Sequence, residues 1–121
     1  MLSRYHEYDK YFNISKNVIN VLNNKNAYER LVNTNDLTSK EREDILKIIK
    51  IIHRIYVIKF ENIINNEYNN LEYARDLLNL IEESDISAIA YRIKLLEGFI
   101  SDFKYNVNKE LFINKLFIDW K

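Results

Sequence analysis

Two histidines are the residues of this chain whose chemistry best suits a metal site or a general base. His6 and His53 stand far apart in the sequence, whereas a zinc site needs three or four ligands and often pairs histidines one helical turn apart. His53 is also flanked by Lys50 and Arg54, whose charges repel a cation. We therefore interpret both histidines as surface or boundary residues, and we predict no metal and no cofactor.

Neighbouring carboxylates are the second set that could do acid–base chemistry. They occur as the pair Glu43 and Asp44, and as the group Glu82, Glu83 and Asp85. Adjacent residues on a helix point about 100° apart, so neither set converges on one point. Both sets also fall near expected helix ends, where solvation and the helix dipole account for them. Since cysteine is absent as well, we predict no catalytic residue and no enzymatic activity.

A basic stripe is the one feature that could contact phosphate. Lys47, Lys50 and Arg54 share one face of a predicted helix, with Lys40 upstream of them. Two observations argue against this interpretation. Glu43 and other acidic neighbours reduce the positive charge of the stripe, and the chain's eighteen basic and eighteen acidic residues give it no net charge. Nucleic-acid binding through Lys47, Lys50 and Arg54 is therefore the alternative hypothesis.

Aromatic residues cluster at the N-terminus, where Tyr5, Tyr8, Tyr11 and Phe12 lie within eight residues. Tyrosine offers a large contact area and a hydrogen bond at low entropic cost, and it is enriched at protein interfaces. The cluster is thus a candidate partner-binding surface. An equally good interpretation is that these rings cover one end of the fold.

The composition predicts an all-α fold. The chain has 121 residues, which suits a single helical domain over 1–121, and it has no proline and only one glycine. Folds rich in tight turns are hard to build without these residues. Asparagine, present 17 times, can replace glycine in the left-handed conformation that often ends a helix. We expect a compact bundle of four to six helices around a long central helix.

The central helix is predicted from about Thr38 to the mid-sixties. Thr38 and Glu41 have the spacing of a capping box, and isoleucines then recur at helical spacing as far as Ile63. The apolar arc is wide, as expected for a helix packed on more than one side. A strand over Ile48–Phe60 is the competing reading, which the cap, the length and the lack of a nearby hairpin turn disfavour.

Further helices are predicted on both sides of the central one. The first runs from Ser3 to about Asn24, with an interruption near Ser15 as an option, and a short helix follows over 27–32. Another covers about 71–83, and Ser84 or Asp85 then caps a helix with a regular apolar seam. The seam consists of Ile86, Ile89, Ile93, Leu96, Ile100, Phe103 and Val107. Asn108 is predicted to cap the last helix, and Gly98 to allow close approach of another helix.

These features predict a protein-binding module that acts through helix faces, as an inhibitor, regulator or assembly subunit. A heterologous protein or a second copy could be the partner, and a homodimer through the 86–107 seam is one variant. The AT-rich codon signature of asparagine, isoleucine and lysine suits an accessory protein of a phage, plasmid or virus. Because the N-terminus lacks an apolar signal segment and no run is long enough to span a membrane, we expect a cytoplasmic location.

Overall fold

The computed structural model describes residues 2–65, 72–105 and 108–120, and all regular structure in these ranges is helical. Six helices and one single-turn helix follow one another along the chain: α1 (Leu2–Leu22), α2 (Ala27–Val32), α3 (Asn35–Thr38), α4 (Arg42–Asn65), α5 (Glu72–Leu80), α6 (Ile86–Phe103) and α7 (Lys109–Asp119). The predicted all-α class is therefore confirmed, with α3 as the one addition to the expected helices.

The long central helix is α4, as the isoleucine pattern predicts. Its 24 residues extend over about 36 Å, and α1, α5 and α6 all pack against it. Its buried residues are Ile45, Ile48, Ile49, Ile52, Ile55, Tyr56 and Ile58. They occupy a broad arc because the helix has neighbours on more than one side. The alternative of a strand over Ile48–Phe60 is wrong.

The predicted start of the central helix at Thr38 is also wrong. Thr38 is the last residue of the single turn α3. Hydrogen bonds from the N–H groups of Leu37 and Thr38 to the Thr34 carbonyl form this turn. The first bond of α4 runs instead from Ile45 N–H to the Glu41 carbonyl. Leu37 is completely buried, so the extra turn places an apolar anchor in the core before the long helix begins.

The first helix is continuous, so the optional interruption near Ser15 does not occur. Ser15 is completely buried and lies on the same helical face as Val18, Ile19 and Leu22, which are also buried. Packing of this face against α3 and α4 overrides the local preference of serine for a helix start.

The start of α6 confirms the predicted cap at Asp85, whose carboxylate accepts a hydrogen bond from Ser87 N–H. The preceding helix is shorter than predicted, because α5 ends at Leu80. Glu83, expected inside it, instead accepts hydrogen bonds from the backbone of Ser84 and Asp85 and organises the connection to α6.

The apolar seam of α6 is only partly the buried face. Ile89, Leu96 and Phe103 are buried, but Arg92 and Phe99 complete that face, while Ile86 is exposed. Val107 lies outside the described residues. The buried part of the seam packs against α4 and α7 within the chain itself, so these buried residues are not free to form a homodimer.

At the four helix ends whose C-cap angles are described, the C-cap residue does not adopt the left-handed conformation that we expected of asparagine. The four described C-caps Asn33, Ser39, Lys104 and Trp120 have backbone φ angles of −114°, −80°, −64° and −66°. Asparagine acts at helix starts instead. Asn26 caps α2, and Asn108 caps α7 as predicted.

Terminal carbonyls are capped by side chains from other parts of the chain. The Asn23 amide donates to the Leu80 carbonyl at the end of α5, over 2.7 Å. The guanidinium of Arg42 donates to the Phe103 carbonyl at the end of α6, over 3.1 Å. These contacts satisfy carbonyls that the helices leave unpaired, without any glycine.

Candidate interaction surface between α6 and α7

A groove of about 180 Å³ lies between the last two helices. Its floor is apolar and consists of Leu95, Phe99, Phe112 and Leu116. Its rim is charged and consists of Lys94, Asp102, Lys115 and Asp119, beside Gly98. An apolar floor within a polar rim is the usual anatomy of a site for a partner's side chain.

An aromatic cluster holds the two walls of the groove together. The rings of Phe99 and Phe103 stack on α6 with their centroids 4.8 Å apart. Phe112 on α7 lies 5.3 Å from Phe99 and 6.1 Å from Phe103. Such contacts stabilise beyond the apolar area that they bury, so this end of the groove is well fixed.

The far end of α7 is fixed by a buried arginine from α2. The Arg30 guanidinium donates to the carbonyl oxygens of Phe117 and Trp120, each over 2.7 Å, and to that of Asn24 over 2.7 Å. The hydroxyl of Tyr91 on α6 donates to the Asp119 carbonyl over 3.1 Å. Contacts with α2 and α6 therefore anchor α7 at both of its ends.

A second buried arginine lies beside the same helix end. The Arg92 guanidinium is 5.3 Å from the centre of the Trp120 ring and 6.0 Å from that of Tyr56, and these two rings meet edge to face. Burial, together with the charge of Arg92, lowers the pKa of Arg30. Burial raises the pKa of the Tyr56 hydroxyl to about 12, although the charge of Arg92 opposes part of that rise. The cluster of Arg92, Trp120 and Tyr56 therefore packs the C-terminal end of α7 against α4 and α6.

Glu83 balances part of this buried positive charge. Its carboxylate lies 3.7 Å from the Arg92 guanidinium and also accepts from two backbone N–H groups. The N–H of Asp85, followed by the charge of Arg92, lowers the pKa of Glu83. Glu83 thus links the α5–α6 connection to the buried Arg92.

Within the described chain, Gly98 does not provide the close approach of another helix that the sequence suggested. A Cβ atom built on it would meet no atom of the described chain within 4 Å, so no other described helix approaches it closely. It is exposed in the middle of α6, beside the groove. Glycine costs roughly 1 kcal/mol relative to alanine at such a position, and packing within the described chain does not explain that cost.

Large apolar side chains are exposed next to the groove. On α7, Leu111 is 66% and Ile118 48% exposed, and they lie seven residues apart on one face. On the α6 side, Tyr91 is 41% and Tyr105 82% exposed. Single exposed apolar residues are ordinary, but a group around a groove is typical of an interaction surface.

The predicted aromatic surface at the N-terminus is partly used inside the chain. The Tyr11 hydroxyl donates to the Asp44 carboxylate over 2.7 Å, which raises the pKa of Tyr11, and the Phe12 ring packs against the core. The side chains of Tyr5 and Tyr8 lie outside the described residues. The two described rings therefore fit the reading in which this cluster covers the end of the fold.

The predicted basic stripe is on the surface of α4. Lys50, Arg54 and Lys47 are all exposed, and the Lys47 ammonium lies 5.3 Å from the centre of the Tyr11 ring. The nearby Asp44 carboxylate, already bonded to Tyr11, reduces the local positive potential. The structure thus places the three residues on one exposed face of α4.

One of the two histidines contacts a carboxylate in the part of the chain that the structure describes. His53 Nε2 lies 3.2 Å from a carboxylate oxygen of Glu97 on α6, a partner that sequence spacing did not indicate. No three potential metal ligands come together among the described residues. The side chain of His6 lies outside them.

Sequence reasoning missed the groove and the two buried arginines. Arg92 carried a signal, since it follows Ile89 by three residues and precedes Leu96 by four on a buried face. The position of Arg30 carried none, because its partners Phe117 and Trp120 lie 87 and 90 positions later in the chain. The groove required knowledge of how α7 folds back on α6.

Comparison with protein families, curated proteins and solved structures finds no match to this chain. Among the described residues, no helix combines the length and the apolar character needed to cross a membrane.

Proposed function

We propose that this chain is a small protein-binding module, and that its binding surface is the α6–α7 groove with the exposed residues around it. The single observation that carries the proposal is the apolar floor of this groove, together with its charge-balanced rim. Two lysines and two aspartates on the rim favour a partner with both apolar and mixed polar side chains. They do not favour a strongly charged polymer.

In this proposal the module acts by binding its partner, without catalysing a reaction. Its rigid groove supplies an anchor site, and Leu111 and Ile118 extend the contact along α7. Such a module suits an inhibitor, a regulator or an assembly subunit. Its composition suits an accessory protein of a phage, plasmid or virus that works in the host cytoplasm.

Selection from a library of displayed helical peptides tests the proposal. We expect selected peptides to bind the wild-type chain and to lose binding to Gly98→Trp, since the indole would fill open space beside the groove. Arg75→Trp on the exposed side of α5 is the matched control and should retain binding. Peptides that bind both variants equally, or a library without groove-dependent binders, would show that the groove is not the binding surface.

Nucleic-acid binding is the second candidate, favoured by the exposure of Lys47, Lys50 and Arg54 on one helix face. A fluorescent DNA or RNA duplex at low salt tests it. Binding that weakens with salt and disappears when all three residues are changed to Glu would support this function, whereas no binding at low salt would remove it.

A further inference from the structure

We propose that the partner on the exposed face of α6 is a second copy of this chain, whose α6 crosses the first in antiparallel orientation at Gly98. This inference rests on the proposed function, because it names the partner of the same surface. It differs from a dimer through the apolar seam, since the buried part of that seam already packs inside the chain.

The exposed face of α6 is arranged symmetrically about Gly98. Lys94 lies four residues before the glycine and Asp102 four residues after it, while Tyr91 and Tyr105 lie seven residues before and after. All five residues are exposed. Residues four or seven positions from Gly98 fall within about 40° of it around a helix, which places Lys94 and Asp102 about 80° apart. Tyr105 lies two residues beyond the last residue of α6, Phe103.

A two-fold axis at Gly98 turns this arrangement into complementary contacts. In an antiparallel pair, a residue before Gly98 faces the residue equally far after Gly98 in the second copy. Lys94 would therefore face Asp102 of the second copy, and the same ion pair would form again on the other side of the axis. Tyr91 would likewise face Tyr105 of the second copy. This is the self-complementarity that a closed dimer requires.

The charges on this face are available for such pairs. Among the described residues, the side chains of Lys94 and Asp102 have no hydrogen-bond or ion-pair partner within the chain. Their signs are opposite and their distances from Gly98 equal, so the face attracts its own copy in antiparallel orientation and repels it in parallel orientation. An anionic or cationic partner would meet one favourable and one unfavourable charge.

Gly98 then has a role that packing within the chain does not provide. Nothing in the described chain lies within 4 Å of a Cβ at this position, but a glycine at the crossing point lets a second helix come close. The groove beside it adds apolar surface for the tyrosines of the second copy to contact.

Sedimentation equilibrium of the full chain over a wide concentration range tests the inference. The wild-type chain should approach twice its mass of 14.7 kDa. Lys94→Asp and Asp102→Lys should each weaken the dimer by at least about tenfold, because two like-charge contacts replace two ion pairs. An equimolar mixture of these two variants should form a heterodimer, since the acidic face of one then meets the basic face of the other.

Arg75→Asp and Glu82→Lys are the matched charge reversals, both exposed and away from this face. They should leave the dimer unchanged, and circular dichroism should show the same helix content in all variants. A monomeric wild-type chain at its solubility limit would overturn the inference. So would a dimer that Lys94→Asp leaves intact, or a mixture of Lys94→Asp with Asp102→Lys that stays monomeric.

The outcomes separate this inference from the proposed function. A monomeric chain that still selects groove-dependent peptides would refute the second copy and retain the binding module for a foreign protein. A dimer governed by Lys94 and Asp102, with no groove-dependent peptide, would support the second copy and refute binding of foreign proteins through the groove.

Discussion

The guanidinium of Arg30 donates a hydrogen bond of 2.7 Å to the carbonyl oxygen of Trp120, 90 positions later in the chain. The same side chain also reaches the carbonyls of Phe117 and Asn24. One residue of the six-residue helix α2 therefore closes the end of α7, which forms one wall of the groove. Its burial is tolerated because its donors meet backbone carbonyls that would otherwise be unpaired.

Replacement of Arg30 by methionine should destabilise the fold by about 3 kcal/mol or more. The change leaves several buried carbonyls without donors, each of which costs roughly 1–3 kcal/mol. Arg30→Lys should cost less than Arg30→Met, because one ammonium can satisfy some of these carbonyls but cannot reproduce the guanidinium fork. Urea unfolding followed by circular dichroism measures both. Arg54→Met, at an exposed position, is the control, and equal losses for Arg30 and Arg54 would contradict the role of Arg30.

Tyr56 should make the fold sensitive to alkaline pH. Its folded-state pKa of about 12 lies above the ordinary tyrosine value of 10.0, so the folded chain holds the phenol neutral. Stability is therefore complete below pH 10 and is lost as the pH rises from 10 towards 12, by up to roughly 3 kcal/mol. Tyr56→Phe removes this titration. Urea unfolding at a series of pH values should show the wild type falling relative to Tyr56→Phe in that window; parallel curves would contradict it.

Ser15→Ala should stabilise the protein by about 1–2 kcal/mol. The Ser15 hydroxyl is buried without a hydrogen-bond partner among the described residues, and alanine also has the higher helix propensity. Asn17→Ala, on the exposed side of the same helix, measures the propensity contribution alone and should stabilise by about 0.5 kcal/mol. A destabilising Ser15→Ala, in the same urea unfolding assay, would mean that the hydroxyl is satisfied.

Gly98→Ala should stabilise the monomer and weaken self-association. A methyl group here meets no atom of the described chain, so the gain in helix propensity of roughly 1 kcal/mol is realised in full. At the crossing of two helices, however, the methyl group would hold them apart. Unfolding at low protein concentration measures the first effect and sedimentation at high concentration the second. A less stable monomer would show that the space around Gly98 is not open.

The parts of the fold that depend on neighbouring residues could be predicted well. Asp85 and Asn108 are helix caps because their side chains bond to N–H groups two or three residues later, which spacing alone reveals. The start of α4 could not be placed correctly. The capping-box pattern at Thr38 competes with a separate turn that buries Leu37, and that burial depends on distant helices.

The candidate site could be predicted less well than the fold. Of the aromatic residues proposed for binding, Tyr11 donates a hydrogen bond to Asp44, 33 positions away. No local sequence pattern indicates this contact. The groove residues were missed because its two walls come from different helices. Gly98 was noticed, but only the folded chain shows that it faces outward.

The sequence by itself determined that this chain is helical, since hydrophobic periodicity and side-chain caps act over one or two helical turns. It also determined that α4 is central, because the arc of isoleucines is too wide for a single neighbour. Only the tertiary structure decided which polar residues are buried and which are exposed to solvent. Arg30 can be buried because distant backbone carbonyls accept its hydrogen bonds, and Arg92 because aromatic rings lie beside its guanidinium. Lys94, Gly98 and Asp102 stay exposed because the opposite face of α6 packs into the core.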